Sequence, residues 1–276
     1  MLTATVLALV AAVLHAFWNF SVKQSTIGDR FVALWGQFSI AGILGALILI
    51  AGGGIPARGY IWAAMSALTH VPYCVLLAKA YTVGDFSRAY PIARGGGALV
   101  AGVGGIVLLG DSFSPIGVAG MIVVAIGLIT LAGRGASAQV IVALGVAITI
   151  GVYSVVDAKG IRTTHTALYA AASFACVTVT TTTYGLATGR SKAMVEAVRT
   201  RWRRLFVLGI ASGLTYALVQ IAFEHAAVGY VTCLRESSVV IAAFMGARYL
   251  GEGNTFRRVA AAGIVVVGLL LLVLGR

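Results

Sequence analysis

Two arginines stand inside the most apolar parts of this chain, Arg94 in "YPIARGGGALVAGVGG" (90–105) and Arg235 in "LRESSVVIAAFMGARYLGE" (234–252). A guanidinium at bilayer depth costs several kcal/mol unless it is paired or faces water. Two of them brought together form a fork that fits a carboxylate or a phosphate. The alternative is that each satisfies a protein carboxylate or backbone carbonyls and ties helices together. Tyr90 lies one turn before Arg94, and Glu236 adjoins Arg235, although neighbours on a helix point about 100° apart. Other polar groups recur at helical spacing. His15, Trp18 and Asn19 are placed i, i+3, i+4 and share one face. His70 and Tyr73 flank Pro72, which frees a backbone carbonyl if it lies inside a helix. Tyr153 and Asp157 are i, i+4, and Tyr216 belongs to a polar stripe with Ser212, Thr215 and Gln220. These side chains suit binding of a small polar solute. His15, Asp157 and Glu236 are the candidates to carry a proton. Interhelical hydrogen bonds explain His15 and Asn19 equally well, and Asp157 also reads as a carboxylate at the membrane edge.

The elements that hold these residues are membrane helices. Of 276 residues, 60% are hydrophobic and 10% charged, and the mean hydropathy is +0.99. Soluble domains carry about 25% charged residues. Ten apolar segments approach the ~20 residues a span needs, at 2–22, 31–51, 60–80, 86–109, 115–133, 138–158, 166–188, 204–224, 229–249 and 257–275. Breaks such as "GDSFSP" and "GRSKAMVEAVRTRWRR" separate them. The runs are continuous rather than alternating, which selects helices over a barrel. The first segment lacks a preceding basic residue and a cleavage site, so it reads as a retained helix.

The net charge of +12 reads as cytoplasmic loop charge rather than a nucleic-acid surface. With the N-terminus outside, inner connections hold twelve Lys and Arg and outer ones hold four, Arg58, Lys159, Arg162 and Arg276. The expectation is a multi-pass protein of the inner (cytoplasmic) membrane with both termini outside. Cys74, Cys176 and Cys233 lie far apart in apolar runs, so no metal or disulfide framework is expected, and no cofactor. No GK[ST] follows the glycine-rich run at 95–105, which excludes a phosphate-cradling loop and direct use of ATP. Gly97, Ala101 and Gly105 form a small-xxx-small contact face instead.

A shift of 141 residues lays "ARGGGALVAGVGGIVLLGD" (93–111) on "LRESSVVIAAFMGARYLGE" (234–252). Arg94 then meets Arg235, Leu109-Gly110-Asp111 meets Leu250-Gly251-Glu252, and Gly127 meets Gly268. The repeat holds five helices. An odd number inverts the second copy, an arrangement many secondary transporters share. The expected architecture is all-α and polytopic, with ten transmembrane helices as two inverted five-helix repeats, 1–135 and 136–276, in one integrated membrane domain.

With these features the chain resembles the drug/metabolite transporter superfamily, in its EamA-like branch. "LHAFWNFSVKQS" (14–25) is similar to that branch's first helix. "AYTVGDFSRAYPIARG" (80–95) and "LRESSVVIAAFMGARYLGE" resemble its helix 3–4 and helix 9 signatures. The resemblance implies a carrier of a small metabolite with a central cavity lined by helices 1, 3, 4, 6, 8 and 9. The expected function is a secondary transporter, an exporter or exchanger, moving an anionic or zwitterionic solute by alternating access. Its expected partners are that solute, the bilayer and, in a coupled mechanism, protons; it acts as a monomer or homodimer. The alternatives are an intramembrane lipid-headgroup enzyme and a non-transporting assembly subunit. The first needs clustered acids or metal ligands, and no two of the eight acidic residues lie within four positions inside a span.

Overall fold

A computed structural model describes residues 2–25, 28–110, 114–132, 137–164, 166, 168–225 and 234–275. Among these residues ten helices follow one another: α1 Leu2–Lys23, α2 Arg30–Ala51, α3 Ala57–Val83, α4 Phe86–Leu109, α5 Pro115–Ala132, α6 Ala138–Thr164, α7 Leu168–Ala187, α8 Ser191–His225, α9 Ser238–Tyr249 and α10 Thr255–Leu274. Five of those described, α1, α2, α3, α4 and α6, are long and apolar enough to cross a membrane, and α5 holds a shorter apolar run, Pro115–Leu131. Their outer faces are aliphatic. On α1, Val6, Val10, Val13 and Phe17 are exposed, and on α2, Ile43, Leu47 and Ile50 are. A soluble protein rarely shows apolar faces this continuous; hydrocarbon is their matching solvent.

Two boundaries differ from those the sequence suggests. The basic run after α7 is not a loop. Helix α8 starts at Ser191 and takes in Lys192, Arg199, Arg201 and Arg203. No glycine or proline stands between Ser191 and Leu208, the residues there are mostly good helix formers, and Met194 and Ala197 are buried on one side. Charge alone does not end a helix. The second difference concerns Arg235. It precedes α9 instead of lying inside it, on the helical residues Leu234–Glu236, which a turn at Ser237 separates from α9. Ser237 breaks the helix there, its hydroxyl donating to the Leu234 carbonyl at 2.6 Å, a local bond that competes with helix continuation. Residues 226–233, where the ninth segment was expected to begin, and Asp111 lie outside the described residues.

The helices pack in pairs. α3 lies against α6 and α1 against α8; α2 lies against α8 and α3 against α7; α5 lies against α10, α2 against α7 and α4 against α9. Glycines set the closest approaches. A Cβ on Gly97 would strike Ile150, and one on Gly151 would strike Val100 and the Ala101 backbone, so α4 and α6 meet through the small-residue face the sequence marks. At the α5–α10 contact, Gly127 faces Val265 and Gly268 faces Val124. Gly97→Val is therefore expected to lower stability by about 1–3 kcal/mol through overpacking. Gly213→Ala, on a helix with nothing within 4 Å of the new methyl, is expected to be neutral or stabilising. Thermal melts of the two purified variants check this pair.

Candidate functional site

Within the bundle lies a cavity of about 220 Å³. His15 and Trp18 of α1 line it, with Phe38 of α2, His70 and Tyr73 of α3, and Arg94 of α4. Tyr153 and Asp157 come from α6, Tyr169 and Ser173 from α7, Ser212, Thr215 and Tyr216 from α8, and Arg235 from the helical residues just before α9.

One end of the cavity is cationic. An Nη2 of Arg94 and an Nη2 of Arg235 both donate to Oε1 of Glu236, the second at 3.1 Å. The Glu236 residue is only 4% exposed, whereas both arginines reach the cavity wall. The 100° separation of helical neighbours does not keep Arg235 and Glu236 apart, because both side chains are long enough to meet, at 3.1 Å, just before the helix breaks at Ser237. His15 stands beside this end, its ring 5.0 Å from Trp18 and 6.2 Å from Tyr90 between centroids.

The middle is aromatic. His70 stacks on Tyr153 with ring centroids 4.2 Å apart, and Tyr73 meets Tyr153 edge-on at 5.7 Å. His70 Nδ1 lies 2.8 Å from the Ser66 carbonyl one turn back, which fixes the ring. Phe174 and Tyr216 form a second edge-on pair at 5.6 Å. Toward the α6–α7 connection the wall becomes acidic and hydroxylic. Asp157 Oδ1 accepts from the Tyr169 hydroxyl at 2.9 Å and from Ser173 Oγ at 3.4 Å.

The structure thus brings together His15, Trp18, His70, Tyr73, Arg94, Tyr153, Asp157, Tyr216 and Arg235. Three candidates from the sequence lie elsewhere. Asn19 is 2% exposed; its amide donates to the His15 carbonyl and its oxygen accepts from the Tyr81 hydroxyl at 2.8 Å, so it braces α1 against α3. Tyr90 is 1% exposed and donates to Ser238 Oγ at 3.1 Å, tying α4 to α9. Glu236 sits behind the arginines, as the carboxylate they share. The Gln220 side chain lies outside the described residues. The α7 contribution and Phe38 were not legible in advance: α7 carries no charge, and its only signal is Tyr169, Ser173 and Phe174 at i, i+4, i+5 in a threonine-rich run.

A second polar cluster closes the opposite membrane face. Glu252, between α9 and α10, accepts from the backbone N–H of Phe86 at 2.8 Å and of Ser87 at 2.7 Å. It caps α4 from a distance, where the helix dipole favours an anion. Asp85, the local cap residue, makes no side-chain cap bond; its carboxylate takes Arg258 instead, which also donates to Ser87. Lys23, at the end of α1, donates to the carbonyls of Tyr81 (2.8 Å) and Gly84 and stands 4.0 Å from Glu252. Gln139 of α6 donates to the Asp85 carbonyl at 2.7 Å. Five helices are knotted at this face. The cavity runs the other way, to Ile161 near the end of α6 and Tyr169 near the start of α7.

An all-helical bundle with aliphatic outer faces and a polar interior is a multi-pass membrane protein. The sequence profile of the EamA-like transporter family matches residues 137–274, half of the 276-residue chain. The chain belongs to that family of membrane transporters. Among curated protein sequences none matches. Of 13 solved chains that match, one, described only as "Crystal structure of protein", is 18% identical, with a TM-score of 0.60 over 97% of this chain and 95% of its own; at that identity it speaks to the fold alone.

Proposed function

We propose that the chain is a secondary transporter that carries a small anionic or zwitterionic metabolite by alternating access. The observation that carries this reading is the pair of guanidiniums, from α4 and the helical residues just before α9, meeting on one carboxylate at the wall of a cavity. All ten helices span the inner membrane as two inverted halves, 1–135 and 136–276, and the solute lies between them. The packing supports this: exchanging each helix with the one five places on turns α3–α6 into α8–α1 and α2–α8 into α7–α3, while α5–α10, α2–α7 and α4–α9 map onto themselves. The Gly127–Val265 and Gly268–Val124 contacts exchange in the same way under a shift of 141. A twofold relation requires such reciprocity.

The face sealed by Lys23, Asp85, Glu252 and Arg258 is the cytoplasmic one by loop charge, which leaves the cavity directed outward and both termini outside. The two halves rock to release this seal and form another. His15 and Asp157, both at the cavity wall, are the groups positioned to move protons. One molecule holds a complete path, so a monomer or a homodimer works equally. The test is a stability screen of the purified protein against anionic and zwitterionic metabolites. At least one is expected to raise the melting temperature saturably, with loss of that shift in Arg235→Ala. Saturable shifts that persist in Arg235→Ala would move the binding site elsewhere.

A further inference from the structure

We infer that Glu236 holds the arginine pair at a single net positive charge and so selects a solute whose bound group is a monoanion, a carboxylate in preference to a phosphate or sulfate dianion. The inference rests on the reading that Arg94 and Arg235 seat the solute's anionic group. Two guanidiniums converging in a low-dielectric cavity repel each other strongly, and something negative must stand with them. Here the protein supplies it. Glu236 Oε1 accepts from both arginines, and its side chain is 5% exposed against 12% for Arg94 and 28% for Arg235. The carboxylate therefore sits behind the pair, and the guanidiniums stand between it and the cavity. Two positive charges and one negative leave one to be matched by a ligand.

A monoanion brings this end to neutrality. A dianion leaves it with an excess negative charge, held where water cannot screen it. The other charged groups facing the cavity press the same way. Asp157, on α6, is a second carboxylate across from the arginines, and the remaining titratable groups of the wall are His15, His70 and the tyrosines 73, 153, 169 and 216. Had the site evolved for a dianion, the dianion itself would neutralise the pair and Glu236 would be a penalty. Glu236 Oε2, buried without a hydrogen-bond partner among the described residues, is tolerated because Oε1 carries both arginines.

The experiment titrates sodium acetate and sodium sulfate into the purified full chain at constant ionic strength and neutral pH, reading the melting temperature. An Arg94→Ala/Arg235→Ala double variant is the reference for non-specific salt effects, which are larger for sulfate. Above that reference, acetate is expected to stabilise the wild type saturably and sulfate not. In Glu236→Gln the order reverses, and the apparent affinity for sulfate relative to acetate rises about tenfold or more. A wild type that prefers sulfate overturns the inference, and so does a Glu236→Gln protein with an unchanged acetate-to-sulfate ratio. If Glu236→Gln does not fold, the wild-type ratio decides alone. Saturable acetate binding that survives in the double variant overturns the seat itself, and this inference with it.

Discussion

Arg94→Ala is expected to abolish solute binding while the protein still folds and reaches the membrane. The two consequences separate because Glu236 has two partners. Removing one partner of a buried pair usually costs about 3–5 kcal/mol, since the remaining charge is stranded. Here Arg235 stays bonded to Glu236 at 3.1 Å, so the carboxylate keeps a cation and the loss of stability stays below that range. Binding has no such reserve. Once Arg94 is gone, Arg235 and Glu236 cancel, and the cavity end that attracts an anion is neutral. The expected result is at least a hundredfold loss of affinity, about 3 kcal/mol, with a modest fall in melting temperature. Arg94→Lys tests the geometry: it restores the charge without the two-pronged fork, and is expected to recover stability more than affinity.

The largest effect on stability is expected from Glu252→Ala. Glu252 is 8% exposed. Its carboxylate is the acceptor for two N–H groups at the start of α4 and the nearest anion to Lys23. Truncation leaves both donors buried without partners, at about 1–3 kcal/mol each for lost acceptors, and removes the charge that balances Lys23. Asp85 cannot take over, because Arg258 holds it. A total near 3–5 kcal/mol is expected, read as a large fall in melting temperature. Glu252→Gln keeps one acceptor oxygen but turns an amide toward a backbone donor, so it falls between. Any Glu252→Ala protein that is recovered is expected to lose closure of the Lys23 face, seen as labelling of a cysteine placed at Ser87 by a reagent added from that side. The wild-type background protects the same position.

Much of this organisation was legible in the sequence because hydrophobic length and small-residue spacing act locally. The ten helices follow the apolar runs, and Gly97 and Ala101 do pack α4 against α6. The 141-residue shift pointed to Arg94 and Arg235 as mates, and they do meet. What could not be read was which partner each polar side chain takes. Asn19 shares a helix face with His15, yet a tyrosine 62 residues away claims it. Tyr90 sits a turn from Arg94, yet it bonds Ser238, 148 residues on. Glu252 registered only as the acid of a repeated "LG[DE]"; its role as a cap for α4 exists only once residues 86 and 252 are adjacent. The basic run of α8 misleads for another reason. Charge density resembles a loop, but helix propensity and a buried stripe through Met194 and Ala197 decide the matter.

The most direct test of the central claim, that the arginine pair seats a solute exposed alternately to each face, is counterflow. Purified protein is placed in liposomes loaded with an unlabelled metabolite identified by the stability screen, and entry of the labelled form is followed. A solute seat on the arginine pair predicts saturable uptake that internal solute accelerates, reduced to the protein-free rate in both Arg94→Ala and Arg235→Ala. Accelerated uptake of wild-type magnitude in both variants would contradict it.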